Sequence, residues 1–179
     1  MSDALRADAR ARAARIRLMI FDVDGILTDG SLQYGAEGEI VKSFNVLDGL
    51  GIRLLQQSGV GTAIVTARKS EIVARRAAEL GIEHVLQGVH DKRAGFEDLL
   101  ARTGIAAAEC GFVGDDWIDL PVLTQVGFAA SVPNAHPEVR ARVHYVTAAG
   151  GGGGAVRELC DLILRAQGNY EAALAPYLR

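Results

Sequence analysis

Four short apolar runs in this chain each lead into residues that could do chemistry. Ile16–Phe21 leads into Asp22-Val23-Asp24-Gly25, and Val60–Val65 leads into Thr66-Ala67-Arg68. Cys110–Val113 leads into Gly114-Asp115-Asp116, and Lys92 follows His84–Gln87 after a short loop. Buried strands of a parallel sheet point the same way, so these four tips would share one edge. That carboxyl edge is where open α/β sheets bind ligands. Clustered carboxylates repel one another and rise in pKa unless a positive charge compensates. A hard dication with oxygen ligands, Mg²⁺, suits Asp22 and Asp115 and also takes substrate phosphate oxygens. Thr66 and Lys92 would hold the remaining phosphoryl oxygens. The chemistry this suggests is phosphoryl transfer, driven by positioning and charge neutralisation. Asp22, at a strand tip, could attack phosphorus. Asp24 could protonate the leaving alcohol and then deprotonate the hydrolytic water. Gly25 allows a sharp turn and a close backbone approach.

The elements that must carry these residues alternate. Strand patterns at 16–21, 60–65, 84–87, 110–113, 128–132 and 144–147 are separated by helical patterns at 49–57, 70–80, 91–102, 118–126 and 137–141, and 155–166 closes the series. Ser70 is placed to cap its helix, and Gly81 and Gly104 to stop theirs. Such alternation predicts a Rossmann-like three-layer α/β fold around a central parallel sheet. Residues 31–44 (SLQYGAEGEIVKSF) break the rhythm and read as a β-hairpin flap inserted after the first strand. The spacing leaves no room for a separate cap domain. The expected organisation is a leader or short helix over 1–15, a catalytic domain over 16–168 and a tail over 169–179.

Composition narrows the function. The chain has 179 residues and a formal charge of −3, with 6% aromatic residues. That balance gives no general attraction to nucleic acid or anionic membrane, and too few rings for a base-stacking platform. Cys110 and Cys160 stand alone, and no apolar run approaches the roughly 20 residues that span a bilayer. A cytoplasmic protein with two reduced thiols is expected.

D-x-D-G, Thr, Lys and G-D-D-x-x-D, in that order and each at a strand end, resemble the haloacid dehalogenase superfamily of phosphatases over nearly the whole chain. That resemblance implies Asp22 as nucleophile, Asp24 as acid and base, and Thr66 and Lys92 as phosphoryl ligands. It implies Mg²⁺ on Asp22, Asp115 and the Asp24 main-chain carbonyl. A receiver-type signalling domain would present its acids, Thr and Lys in another order. A phosphatase-like assembly module without activity would be expected to have lost Asp22 or Asp24.

Longer segments narrow the resemblance: DVDGILTDG (22–30), FNVLDGLGI (44–52), TARKS (66–70), GDDWIDLPV (114–122), NAHP (134–137) and GGAVRELCDLILRAQG (153–168). They look like the capless branch that dephosphorylates 8-phosphorylated octulosonic sugar acids for lipopolysaccharide synthesis; a phosphatase for another sugar phosphate, or one of broad specificity, is the alternative reading. In that branch substrate contacts fall on Asp24, Asn45, Val46, Leu47, Asp48, Gly49, Arg53, Arg68, Arg76 and Lys92. Arginines suit a substrate with a carboxylate as well as a phosphate. The chain departs from that branch at Leu47, Ala67 and Gly153, where Arg, Gly and Arg are usual. The resemblance also implies a homotetramer, with hairpins pairing between subunits and the C-terminal tail reaching a neighbour's crevice. The glycine run 150–154 would be a mobile tether for that tail. On the residues alone, Asp48 could equally cap the following helix. Asp119 reads as an orienting or helix-dipole residue, not a metal ligand, His136 as structural and Trp117 as a packing or interface residue.

Overall fold

The computed structural model describes residues 3–179, with side chains from residue 6 on. Six parallel strands form the main sheet: β1 (Leu18–Phe21), β4 (Gly61–Thr66), β5 (His84–Gln87), β6 (Cys110–Val113), β7 (Phe128–Ser131) and β8 (Tyr145–Val146). Their spatial order is β5-β4-β1-β6-β7-β8. The chain therefore winds outward from β1 through β4 to β5. It then crosses back to β6 and winds the other way. The crevice at that reversal opens between the tips of β1 and β6, which carry Asp22 and Asp115. In register, Phe21 pairs with Ile64 on one side and Val113 on the other.

Apolar residues fill both faces of β1 because helices cover both faces of the sheet. Met19 and Phe21 point into one core, with α1 (Asp3–Ala13), α2 (Val46–Gln57), α3 (Glu71–Leu80) and α7 (Ala155–Ala166). Leu18 and Ile20 point into the other, with α4 (Lys92–Thr103), α5 (Leu120–Leu123) and α6 (Pro137–Arg140). This is the expected three-layer fold. The hairpin is also present, as the separate antiparallel pair β2 (Gln33–Gly35) and β3 (Gly38–Val41). Among the described residues, no helix is long and apolar enough to cross a membrane.

Several boundaries differ from expectation. The second helix starts at Val46, not Gly49, because Asn45 caps it by accepting from the Leu47 N–H at 2.8 Å. Asp48 therefore lies inside the first turn and does not cap α2. Instead its Oδ1 accepts from the Arg157 N–H at 2.8 Å, across the core at the start of α7. The helix expected over 118–126 is a 3₁₀ turn (Trp117–Asp119) followed by the four residues of α5. Asp116 and Asp119 cap that turn reciprocally, which spends one oxygen of each carboxylate on local N–H groups. Residues 170–174 form α8 (Tyr170–Leu174), and Tyr170 and Ala173 pack onto the chain's own core.

The glycine run is not a mobile tether. Gly152 N–H donates to the Ile26 carbonyl at 2.9 Å, Gly151 N–H to Asn134 Oδ1 at 3.3 Å, and Gly153 N–H to the Gly150 carbonyl at 3.0 Å. A Cβ on Gly151 would overlap the Gly25 carbonyl. The run is therefore a packed wedge against the loop after β1, and its glycines permit backbone-on-backbone approach.

Candidate active site

Asp22 stands one residue beyond β1, and its N–H donates to the Val113 carbonyl at 3.1 Å, which ties the tips of β1 and β6 together. Lys92 is the first residue of α4. Asp91 caps that helix, accepting from the Ala94 N–H at 3.1 Å, and so fixes the turn that aims Lys92. The Lys92 side chain is fully buried. Its Nζ lies 2.8 Å from Asp22 Oδ1 and 2.5 Å from Asp119 Oδ1. Asp119 spends its other oxygen on the loop, accepting from the N–H groups of Asp115 (3.0 Å) and Asp116 (3.1 Å). A Cβ on Gly114 would collide with that carboxylate, so glycine is required there. Thr66 ends β4 as a buried hydroxyl. Asp22, Asp24, Thr66, Arg68, Asp115 and Asp116 all line one cavity of about 240 Å³.

Carboxylate oxygens of Asp22, Asp115 and Asp119 lie within 4.8 Å of one another. Burial, then the Asp119 charge, pushes the Asp22 carboxyl above its usual range, against the pull of Lys92. Burial and the charges of Asp119 and Asp116 raise Asp115 to about 7. Burial alone would lower Lys92, but Asp22 and Asp119 outweigh it and raise its pKa, so it stays an ammonium. One ammonium thus faces three acids, and burial together with repulsion between the acids raises the pKa of Asp22 and Asp115. A set of hard oxygen donors short of cations fits Mg²⁺. Gly25, at φ 88°, leaves the space beside Asp115 open, because any Cβ there would overlap its carboxylate.

The hairpin supplies residues that sequence reasoning missed. Lys42, directly after β3, has a side chain only 1% exposed, and it pairs with Asp24 Oδ1 and, at 2.9 Å, with Glu39 Oε1. Glu39 Oε2 accepts from the Ser70 hydroxyl at 2.7 Å. Arg68 Nη2 bonds the Tyr34 hydroxyl at 2.5 Å, and its Nε lies 3.7 Å from Asp24 Oδ2. Ser70 heads α3 without capping it through its side chain, because its hydroxyl is turned to the hairpin. The only sequence signal was a Glu and a Lys three apart in a strand pattern, which ordinarily marks a solvated edge.

Other expected substrate contacts lie off this cavity in the single chain. Asn45 Nδ2 donates to the Gly152 carbonyl at 3.3 Å. Val46 and Leu47 are exposed. Asp48 is buried, and burial raises its pKa against the N–H bonds it receives at the start of α7. Arg76 lies against Gly49, where a Cβ would strike its Nη2, and over the Phe44 ring at 5.8 Å. Arg53 lines an outer groove beside Glu79 and Tyr177. Trp117 Nε1 donates to His136 Nδ1 at 2.8 Å, and the rings meet edge to face.

Comparison with known proteins follows the same line. The family model of haloacid dehalogenase-like hydrolases matches residues 82–159. The chain is 49% identical over 167 residues to the 3-deoxy-D-manno-octulosonate 8-phosphate phosphatase of Escherichia coli K12, covering 93% of this chain and 89% of that protein. It is 48% identical over 166 residues to the phosphatase of that name from Yersinia pestis, covering 93% and 89%. Among solved structures it resembles the Moraxella catarrhalis enzyme of the same name, in complex with magnesium, phosphate and KDO. That match has a TM-score of 0.92 at 46% identity, covering 95% of this chain and 98% of the other. A probable phosphatase from Pseudomonas syringae matches with a TM-score of 0.95 at 49% identity, covering 97% and 98%.

Proposed function

We propose, for a chain that belongs to the 3-deoxy-D-manno-octulosonate 8-phosphate phosphatase family of the haloacid dehalogenase-like hydrolases, that it hydrolyses that sugar-acid phosphate to the free acid and inorganic phosphate. The enzyme is a Mg²⁺-dependent phosphoric monoester hydrolase. What carries the reading is the meeting of Asp22, Thr66, Lys92 and Asp115 at one sheet edge, around a pocket short of positive charge.

The roles follow from position. Asp22 attacks phosphorus as the bond from phosphorus to the sugar oxygen breaks, giving an aspartyl-phosphate. Asp24 gives its proton to the departing alcohol, then takes one from the water that attacks the intermediate and frees Asp22. Thr66 and Lys92 hold phosphoryl oxygens, and Asp119 holds Lys92. Asp22, Asp115 and the Asp24 carbonyl would bind Mg²⁺, which when bound supplies positive charge to the phosphoryl oxygens. Arg68 stands at the mouth of the cavity, where it can grip a substrate carboxylate bidentately.

Asn45–Gly49, Arg53 and Arg76 are proposed as further substrate contacts within a cytoplasmic homotetramer. Exposed apolar residues on the hairpin (Leu32, Tyr34, Ile40, Val41) support assembly. Residues off the cavity in one chain can meet substrate where a neighbour completes the crevice. Sedimentation velocity reads this directly, and a monomer at catalytic concentrations would remove it.

The deciding experiment measures phosphate release from 3-deoxy-D-manno-octulosonate 8-phosphate and from other sugar phosphates, with Mg²⁺ or with chelator. Strong preference for the octulosonate, abolished by chelator, is expected. Comparable turnover of the whole panel would defeat the substrate assignment. Asp22→Asn should lose about 10³-fold or more in kcat while the fold persists. Substantial residual turnover would remove Asp22 as nucleophile.

A further inference from the structure

The hairpin reaches back to the acid that follows the nucleophile. We infer that Lys42 is the positioning residue for Asp24, fixing its carboxyl for proton transfer to the leaving oxygen. This rests on the reading of Asp24 as acid and base. Burying an ammonium is costly unless it is paired, and Lys42 is buried between two carboxylates, Glu39 and Asp24. Glu39 is its neighbour at i−3 in the hairpin and would alone suffice to latch the strand locally. The second partner is a residue of the cavity, 18 positions away in sequence. Lys42 takes Oδ1 of Asp24, so one carboxyl oxygen is anchored and the side-chain torsions are set. Oδ2 is then free to move the proton. Arg68 comes within 3.7 Å of that oxygen, but its side chain is 40% exposed and therefore a looser restraint. In the reaction, the proton on Asp24 passes to the alcohol oxygen as its bond to phosphorus breaks. It is replaced by a proton from the water that cleaves the acyl phosphate. A displaced carboxyl fails at both transfers, while the Asp22–Lys92–Asp115 group is untouched.

The discriminating measurement is leaving-group dependence. kcat/KM reports steps up to transfer onto Asp22. An alkyl leaving group such as the sugar alcohol needs the proton, whereas p-nitrophenolate leaves without it. Lys42→Met is expected to lower kcat/KM for the sugar phosphate by about 30-fold or more, a partial loss of a general-acid contribution of about 10²–10⁴, and for p-nitrophenyl phosphate by less than about threefold. Lys42→Arg, which keeps the charge, should recover part of the sugar-phosphate rate. If Lys42→Met folds poorly, the double variant Lys42→Met with Glu39→Gln removes the stranded second acid and should show the same selectivity. Asp24→Asn in the same assay separates the two levels of the argument. Selective loss in Asp24→Asn with equal losses, or none, in the Lys42 variants would overturn the positioning role alone. Equal losses on both substrates in Asp24→Asn would overturn the acid role, and with it that of Lys42.

Discussion

Replacing Gly151 by Ala tests whether the glycine run is a packed part of the site. A Cβ at this position would overlap the Gly25 carbonyl and stand 2.9 Å from the Thr28 carbonyl. Both obstacles are backbone, so no side chain can rotate away. Relief requires the run and the loop after β1 to separate. That separation strains or breaks the bonds from Gly152 N–H to the Ile26 carbonyl (2.9 Å) and from Asn45 Nδ2 to the Gly152 carbonyl (3.3 Å). Overpacking costs about 1–3 kcal/mol, and one net hydrogen bond adds about 1 kcal/mol. The expected loss is about 2–4 kcal/mol. In a domain of this size each kcal/mol moves Tm by about 2–4 °C, so a fall of about 5–15 °C follows. Activity should fall as well, because the displaced loop carries Asp22 and Asp24. Gly150→Ala is the control: its Cβ meets only Asn134 Oδ1, at 3.2 Å, and should shift stability by no more than about 0.5 kcal/mol. The comparison is sharp because a solvated tether predicts the opposite sign. There Gly→Ala would restrict the unfolded chain and stabilise by about 0.4–1 kcal/mol. Thermal melts of both variants decide it. A Gly151→Ala protein that melts at or above the wild-type temperature refutes the wedge.

Two further outcomes follow from burial. His144 accepts from the Ala129 N–H at 2.9 Å through Nδ1, and burial, then the Arg12 charge, lowers its pKa below the usual 6.5. The unfolded chain therefore binds the proton more readily, so the stabilisation is present above about pH 6.5 and is lost as pH falls through the lower folded value. Urea unfolding of wild type and His144→Asn from pH 7.5 to 5 should show the two curves converging toward acid, and parallel curves would exclude the effect. Burial pushes Cys110 up to about 12 and Cys160 further still. A thiol reagent at pH 8 should leave both unreacted in the native protein and titrate both in urea, whereas rapid native labelling would contradict their burial.

How much of the site was legible depends on whether its determinants were local. Asp22, Thr66, Lys92 and Asp115 could be placed because each follows a strand pattern, and parallel strands bring their tips to one edge whatever the connections between them. Asp119 was legible as an orienting residue for a similar reason: three residues after Asp116, its carboxylate can turn back onto the loop. Lys42 was not legible. In sequence it is one more charged residue in a short alternating hairpin, and nothing local says that the hairpin folds onto Asp24 rather than into solvent. The glycine run failed from the other side. Local composition is the same for a linker and for backbone packed on backbone, and only the loop after β1 on its far side makes the distinction.

Asp48 shows the same division within a single residue. A carboxylate beside the start of a helix pattern reads as that helix's cap, and α2 has a closer candidate in Asn45. The N–H groups Asp48 does satisfy belong to α7, more than a hundred residues away. Those groups exist to be satisfied because Gly154 heads α7 without a side chain of its own. The run that packs on Gly25 through Gly151 ends at Gly154, which leaves the start of α7 bare, and a buried acid from α2 covers it. The loop after β1, the glycine wedge, the start of α7 and the first turn of α2 consequently form one mechanical unit. A substitution at Asp48 should therefore disturb Asp22 and Asp24 through that chain of contacts even where Asp48 touches no substrate.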